Sequence, residues 1–211
     1  MSAFVIAVSD NQAAPFTVAE NLGPFVTGFS CGTQLPGGGN FAKFRFYGPV
    51  DPPPVWLFPF YGVEIRDELG VHFSGRIEDF QGHRGYDGEY FDVTCYGFGF
   101  NLDDQYYTST NVQNTATGTV VSDAITNLTQ KISVVTVTAT GFTLTNTAAI
   151  NLKMMAGRDV MNWAAKYGDS SNNPYIWYVY PQDDGDIEFT FKPRPTTADV
   201  TGYLGDFDNV N

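Results

Sequence analysis

This sequence has few of the residues on which catalysis and metal binding usually depend. Cysteine and histidine each occur only twice among 211 residues, and charged residues make up 16% of the chain. Cys31 and Cys95 do not form a disulfide framework, and each lies in an apolar run where a buried free thiol is expected. His72 and His83 have no cysteine near enough in sequence for a zinc signature. We therefore expect neither a metal ion nor a cofactor.

Long apolar runs and familiar catalytic motifs are missing as well. No stretch of about 20 apolar residues is present, so no membrane insertion is predicted. The opening residues, MSAFVIAVSDNQ, lack a cationic region and carry too short an apolar run for a signal peptide, so we expect folding in a reducing cytoplasm. The chain contains no G-x-S-x-G, no phosphate-binding glycine loop before a helix and no H-E-x-x-H. An enzyme is therefore not expected.

The charge balance argues against tight binding of nucleic acid. The net charge is −12, from 11 Lys and Arg against 23 Asp and Glu, whereas phosphate binding needs clustered cations. Apolar residues make up 43% of the chain and aromatic residues 16%, which supports a sizeable core. A surface with few charges and many aromatic side chains is more common where other subunits cover it.

Residues 1–105 have the pattern of an all-β region. In F-A-K-F-R-F, apolar residues alternate with Lys43 and Arg45, which predicts a half-buried strand. Asp51–Pro54 is a proline-rich connector, and Gly82–Gly88 is predicted to be a loop before the last strand. Six strands at short spacing indicate a barrel or a sandwich. The predicted strands are Phe4–Val8, Phe25–Thr33, Phe41–Phe46, Trp56–Arg66, Val71–Phe80 and 90–100.

The pattern changes to mixed α and β after about residue 105. Apolar residues at helical spacing between Val120 and Leu128 predict a helix capped by Thr117, and Arg158–Tyr167 predicts a second one. The predicted strands are Val134–Val137, Phe142–Leu144, Tyr175–Tyr180, Asp186–Lys192 and Val200–Leu204, with a turn at Asp183–Gly185. We therefore expect an α+β, mainly β chain. Its first domain spans 1–105, an α/β domain spans 106–192, and 193–211 is a candidate to complete the first domain.

Three carboxylate-based functions find little support. Asp183–Asp186 superficially resembles a calcium loop, but the glutamate at the twelfth position is missing, and a hairpin turn explains the segment equally well. Glu64, Glu78 and Glu89 would have to lie in pairs to serve as glycosidase carboxylates, and nothing in the sequence places two of them together. Asp103 and Asp104 fall where the two predicted domains meet, and solvation explains them there.

Clustered aromatic residues leave a carbohydrate-binding module as an alternative. Aromatic rings on exposed strands can stack on sugars, although in strands they more often face a core or a subunit contact. The candidate platforms are Trp56, Phe58, Phe60 and Tyr61 in one group and Tyr175, Trp177, Tyr178 and Tyr180 in the other.

Several weak motifs follow one another along the chain. Phe73–Ile77 fits F-x-G-x-I, and Val93–Leu102 fits a following V-x-C-x-G…L strand. A helix at Val120–Leu128, a D-x-L-x-x-L-A-x-x-x-G-like helix at 159–168 and a hairpin at 176–191 come next. In this order and spacing the chain resembles the tail-tip (baseplate) hub proteins of tailed bacteriophages, over nearly its whole length.

The resemblance implies a structural virion protein of the tail tip that is assembled in the host cytoplasm. Its fold would be a tail-tube-like antiparallel β-barrel with a smaller α/β domain inserted in it. The family forms trimers that join the hexameric tail tube and distal tail proteins to a trimeric spike or fibre. DNA would pass transiently and without specific binding. A distal tail ring protein of the same particle, a carbohydrate-binding adhesin and a wall-degrading enzyme are the alternatives.

Hub subunits of this family carry two tube-like barrels, whereas only one is predicted here. We expect either that the sequence is the N-terminal part of a longer hub or that another chain supplies the second barrel. The connector and the loop before the last strand are predicted to be interface elements, because both are exposed between strands. The interface residues predicted in this way are Asp51, Pro53, Gly82, His83, Arg84, Gly85 and Tyr86.

Overall fold

The computed structural model describes residues 5–9, 20–32, 41–107, 116–128, 134–137, 154–167, 173–182 and 186–194. Within these ranges the chain is mainly β-sheet with two α-helices, as the sequence predicts. The predicted strands Phe142–Leu144 and Val200–Leu204 and the turn Asp183–Gly185 lie outside the described residues.

Ten strands, two α-helices and two 3-10 helices make up the described part of the chain. The 3-10 helices are Gly23–Phe25 and Phe98–Leu102, and the α-helices are α1 (Thr117–Leu128) and α2 (Gly157–Tyr167). The strands are β1 (Val5–Ser9), β2 (Glu20–Asn21), β3 (Val26–Gly32), β4 (Phe41–Tyr47), β5 (Gly62–Asp67), β6 (Gly70–Gly85), β7 (Gly88–Gly97), β8 (Val134–Val137), β9 (Tyr175–Pro181) and β10 (Ile187–Pro193).

The first seven strands form one antiparallel sheet in the order β2-β1-β5-β6-β7-β4-β3. The consecutive strands β3 and β4, β5 and β6, and β6 and β7 pair as antiparallel hairpins. Among the described residues the sheet is open, with β2 and β3 at its two edges. Closure into a barrel therefore stays a prediction.

One face of this sheet carries a hydrophobic core. In β4, Ala42, Phe44 and Phe46 are buried while Lys43 is exposed, so the predicted alternation is confirmed. Leu22, Trp56 and Leu57 join the core from outside the regular strands. The other core side chains come from the sheet itself: Ile6, Val8, Val63, Ile65, Phe73, Ile77, Phe91, Val93 and Cys95.

A second core forms around a three-stranded sheet with the order β8-β10-β9. β10 runs parallel to β8 and antiparallel to β9, and both helices contribute apolar side chains to this core. Tyr175, Trp177 and Val179 alternate along β9 and point into it. Phe98 and Leu102 also belong to this second core, so the chain changes from one core to the other directly after β7.

The strand predicted for Trp56–Arg66 is wrong over its first half. Regular strand begins only at Gly62, and Trp56–Tyr61 forms successive turns. Pro54 and Pro59 lack the N–H groups that a strand needs, and Trp56 and Leu57 are adjacent residues that are both buried. Apolar side chains of this segment are buried in turns. A strand prediction based on alternating apolar and polar residues cannot recognise such turns.

The predicted loop Gly82–Gly88 is also wrong. β6 continues to Gly85 and β7 begins at Gly88, so Tyr86 and Asp87 alone form the turn. Gly88 has φ +104°, a conformation that favours glycine at this position. The glycines at 82 and 85 suggested a loop, but pairing with β7 holds both residues in extended conformation.

The two cysteines differ in environment. Cys95 is fully buried, as predicted, and burial raises the pKa of its thiol. Cys31 is exposed, so the prediction of a buried thiol is wrong for this residue. The reason is its place on β3, an edge strand whose residues are exposed or only half-buried.

Gly75 is required by a close approach between β6 and β7. A Cβ atom there would lie 2.2 Å from the Tyr96 carbonyl oxygen and 2.8 Å from the Gly97 Cα. We expect Gly75→Ala to lower the free energy of unfolding by about 3 kcal/mol, since two backbones would have to separate. Gly85→Ala is the matched control, because a Cβ there meets no atom within 4 Å. Equal denaturant midpoints for the two variants would contradict this account.

Glu64 is a buried carboxylate on β5, and burial raises its pKa while Arg66, 3.4 Å away, opposes the shift. The folded state therefore binds this proton more tightly than the unfolded state. The contribution of Glu64 to stability is then most favourable below its unfolded pKa and is lost as pH rises through the folded pKa.

We therefore expect Glu64→Gln to be more stable than the native chain at neutral pH, with the difference disappearing in acid. Urea unfolding of both proteins across the acidic and neutral range measures this difference. A constant difference at all pH values would show that Glu64 is not the titrating group.

Candidate assembly interface

β6 is much longer than its neighbour β5, and its second half, Asp79–Gly85, pairs only with β7, whose other side pairs with β4. We call this half of β6 and the β7 residues opposite it the arm. β5 pairs with β6 only as far as Arg76, whereas β7 pairs with β6 up to Gly85. A register shift between Ile77 and Asp79 marks the point where the arm leaves the β5 side. Tyr86 at the tip is fully exposed.

Side-chain pairs across the strands hold the arm together. His83 stacks on Tyr90 with ring centroids 4.9 Å apart, and Arg84 Nε lies 2.9 Å from Glu89 Oε1. From β4, the Arg45 guanidinium lies 4.0 Å from the centre of the Tyr90 ring. Such directly opposed pairs each contribute up to about 1 kcal/mol, which explains why a glycine-containing segment remains a strand.

An ion pair links the arm to β4. Arg45 donates from Nε to Asp92 Oδ1 at 2.8 Å and from its Nη2 to Oδ2 at 3.1 Å. This bidentate hydrogen bonding lowers the pKa of the Asp92 carboxyl, so the carboxylate stays charged into the acidic range. Both side chains are substantially exposed, so the pair fixes orientation more than it adds stability.

Residues 48–51, which lead into the proline-rich connector, pass close to the tip of the same arm. The Val50 N–H donates to Glu89 Oε2 at 2.7 Å, and the Gly48 N–H donates to the Glu89 carbonyl oxygen at 3.2 Å. Arg84 Nη2 lies 3.9 Å from Asp51 Oδ2. Glu89 thus joins the residues before the connector to the arm, a role that no sequence pattern predicted.

The structure brings most of the predicted interface residues to one end of the large sheet. Asp51 and Arg84 approach each other, and Gly82 lies beside Val50. His83 stacks within the arm, and Gly85 closes it before the exposed tip residue Tyr86. Pro53 is exposed in the connector, after the cis peptide bond between Asp51 and Pro52. Their role in binding a partner stays a prediction.

A buried arginine connects the two cores. Arg76 is 5% exposed and donates from Nη1 to Asn101 Oδ1 at 2.7 Å and to the Asp104 carboxylate. Its Nε lies 3.2 Å from Glu78 Oε2, and the guanidinium lies 4.9 Å from the centre of the Phe60 ring. Arg76 thereby fixes the segment after the 3-10 helix to the large sheet.

A second arginine holds the same segment from the side of the smaller sheet. Arg158 of α2 donates from Nε to both Asp103 carboxylate oxygens at 2.8 Å and from Nη2 to the Gly99 carbonyl at 3.2 Å. Its guanidinium also lies 4.6 Å from the centre of the Phe100 ring. Asp103 and Asp104 therefore each bind one arginine, a role that sequence reasoning missed.

Both tryptophans of the candidate carbohydrate-binding platforms are buried. Trp56 packs edge-on against Phe46 in the first core, with ring centroids 4.7 Å apart. Trp177 is 1% exposed in the second core, where its Nε1 donates to Asn162 Oδ1 at 3.0 Å. Phe58 and Phe60 are exposed, so they alone of the first candidate platform present large apolar faces to solvent.

Each of the three glutamates that are candidates for a catalytic pair lies near a different arginine. Glu64 lies near Arg66, Glu78 near Arg76 and Glu89 near Arg84. In the described part of the chain, no group of three or more His, Cys, Asp and Glu side chains is placed to bind a metal ion. Within the same ranges, no helix has the length and apolar character needed to cross a bilayer.

Solved structures that share this fold include three tail proteins, two of them from prophages. The tail protein from Neisseria meningitidis MC58 is 11% identical, with a TM-score of 0.53 over 89% of this chain and 51% of its own. The 43 kDa tail protein of prophage MuSo2 from Shewanella oneidensis is 10% identical, with a TM-score of 0.53 over 90% and 55%. Prophage tail protein gp18 from Listeria monocytogenes EGD-e is 10% identical, with a TM-score of 0.56 over 90% and 50%.

These likenesses confirm, at the level of the fold, the resemblance to phage tail-tip proteins. The chain spans about half the length of the tail proteins that it matches. No family model and no curated protein matches its sequence.

We expect Arg76→Ala to weaken the connection between the two cores. Removing the guanidinium leaves Asn101 and Asp104 without their shared donor, a loss of about 2–3 kcal/mol for a buried charged network. Calorimetry should show the unfolding of the native chain splitting into two transitions in the variant. Arg45→Ala, which removes an exposed ion pair, should keep the native number of transitions. A single unchanged transition in Arg76→Ala would contradict the connecting role.

Proposed function

We propose that this chain is a structural subunit of a phage-type tail tip, acting as a hub between a hexameric tube and a trimeric spike or fibre. The observation that supports it most is the fold, which it shares over 89% to 90% of its length with three tail proteins. The order of the sequence motifs independently suggests the same family.

The surface is suited to assembly. The described part of the chain carries exposed large apolar side chains in the turns between the connector and β5 and at the arm tip, among them Val55, Phe58, Phe60 and Tyr86. Only 16% of all residues are charged. Side chains of this kind are stabilised when neighbouring subunits cover them. A tail tip, in which each subunit contacts several others, provides such cover.

In the proposed hub, the seven-stranded sheet belongs to a tube-like barrel spanning about 1–105, and 106–192 is the inserted α/β domain. The chain spans about half the length of the tail proteins that it matches, and the hub family carries two such barrels. The second barrel would then come from a further part of a longer polypeptide or from another chain.

The uncovered face of the arm has a nearly balanced charge. The strand register places Asp79 and Asp92 on this face together with Lys43 and Arg45. If this face lines a channel, DNA would meet neither a cluster of cations nor a strong negative field. The proposal of transient DNA passage without specific binding is consistent with this balance, and the acidic surplus of the chain must lie elsewhere.

Copy number in the assembled particle tests the proposal. We expect three copies for a hub, and native mass spectrometry of isolated tail tips would measure them. Six copies would instead favour the distal tail ring protein, which is the nearest alternative. Absence of the chain from purified tails would contradict any structural role there. Glycan-array binding abolished by Phe58→Ala would favour the adhesin alternative.

A further inference from the structure

The bulge in β3 opens a cavity on the face of the large sheet opposite the first core. The register between β3 and β4 shifts between Thr27 and Ser30, so the two residues between them have no partner in β4. Of these two, Phe29 packs against the first core, whereas Gly28 has φ +64° and a Cβ atom there would meet nothing within 4 Å. The bulge therefore directs one aromatic ring inward and leaves space on the opposite face. The cavity beside it has a volume of about 380 Å³, and we call it the bulge pocket.

Five polar side chains share the face from which the bulge pocket opens. Cross-strand partners lie on the same face of a sheet, and the register pairs Thr27 with Arg45. On the other side of β4, Arg45 pairs with Asp92 and Lys43 pairs with Thr94. All five residues line the pocket, which thus brings together two cations, one carboxylate and two hydroxyl groups.

Lys43 supplies the positive charge of this pocket that no described carboxylate offsets. Arg45 is held by Asp92 through two hydrogen bonds, so these two charges balance each other. Asp79 shares the face but lies two strands from Lys43 and forms no ion pair with it. The lining therefore carries one net positive charge, in a chain whose net charge is −12. Five described arginines, by contrast, have carboxylate partners: Arg45, Arg66, Arg76, Arg84 and Arg158.

One net positive charge beside two hydroxyl groups suits a single carboxylate. Ammonium and hydroxyl groups donate hydrogen bonds, and such bonds to a charged acceptor are about twice as strong as those to a neutral one. A phosphate dianion would bring one negative charge more than the pocket balances, and Asp92 would repel it. Tight binding of a DNA duplex needs clustered cations, which this face lacks.

We propose that the bulge pocket binds the carboxylate of an aspartate or glutamate side chain from a different protein. This inference goes beyond the hub role and does not depend on it. A second copy of this chain is a poor candidate for the partner, because two chains with a net charge of −12 repel one another. The same repulsion favours a partner segment in which the bound acid is an isolated charge.

Binding of short peptides to the purified, ¹⁵N-labelled chain tests the proposal directly. The probes are acetyl-Gly-Glu-Gly-amide and acetyl-Gly-Gln-Gly-amide, which differ by one charge. We expect the glutamate peptide to shift the amide signals of Thr27, Gly28 and Thr94, with a Kd of about 1–10 mM for one charge-assisted contact. The glutamine peptide should leave these signals unchanged. Equal shifts from both peptides, or no shifts from either, would overturn the proposal.

Two lysine variants show whether the charge in the pocket is responsible. Lys43→Gln removes this charge at an exposed position, and we expect it to weaken binding of the glutamate peptide about tenfold. Lys166→Gln is the matched control, because it removes the same charge from an exposed position on α2 and should keep the native affinity. Unchanged affinity in Lys43→Gln, or an equal loss in both variants, would overturn the site.

Inorganic phosphate and a short DNA duplex are the competing probes. We expect both to shift the same amide signals less than the glutamate peptide does at equal concentration. Larger shifts from phosphate or from the duplex would overturn the assignment of the pocket to a carboxylate.

Carbodiimide cross-linking of isolated tail tips would identify the partner residue. The reagent joins a lysine amine to a carboxylate that touches it: an amide bond forms, and the water that is lost converts the carbodiimide to a urea. We expect mass spectrometry to find Lys43 joined to an aspartate or glutamate of another protein. Links from Lys43 only to carboxylates of this chain's own sequence would overturn the assignment of the partner.

The pocket and the hub role can fail separately. Three copies in intact tail tips, together with no binding of the glutamate peptide, would overturn the pocket and leave the hub role standing. Absence of the chain from tails would overturn the hub role, and selective binding of the glutamate peptide by the purified chain would still establish the pocket.

Discussion

The buried guanidinium of Arg76 is the interaction on which the arrangement of the chain depends. Its donors are directed at Glu78 on the same strand and at Asn101 and Asp104 in the segment 98–104, and an arginine so placed cannot lose its charge. A charged group buried without partners would destabilise the folded state by far more than any exposed ion pair stabilises it. The segment 98–104 must therefore return to β6, which fixes where the second core begins.

The same arginine accounts for an otherwise costly conformation at Phe60. A bulky residue with φ +68° costs about 1–2 kcal/mol relative to ordinary backbone. This conformation directs the Phe60 N–H to the Ile77 carbonyl and the ring over the Arg76 guanidinium. The pairing between β5 and β6 also ends at this turn. One constrained residue thus separates the half of β6 that lies inside the sheet from the half that forms the arm.

Sequence reasoning succeeded where the deciding interactions are local or periodic. The alternation in Phe41–Phe46, the helical spacing in Arg158–Tyr167 and the order of strands β3 to β7 all follow from neighbouring residues. It failed where contacts between residues far apart in the sequence determine the local structure. The arm persists through Gly82 because His83 meets Tyr90 and Arg84 meets Glu89 across the strands, and glycine content alone predicted a loop. The acceptors of Arg76 lie 25 and 28 residues away, so no local pattern could show them.

The open edges and the charge of the chain are best understood together. An uncharged seven-residue edge such as β3 is a liability in an isolated subunit, because any other strand can add to it. A net charge of −12 makes separate copies repel one another, and at about 0.1 M salt this repulsion acts only within about 10 Å. The acidic character that speaks against nucleic-acid binding therefore also opposes strand addition between free copies of the chain.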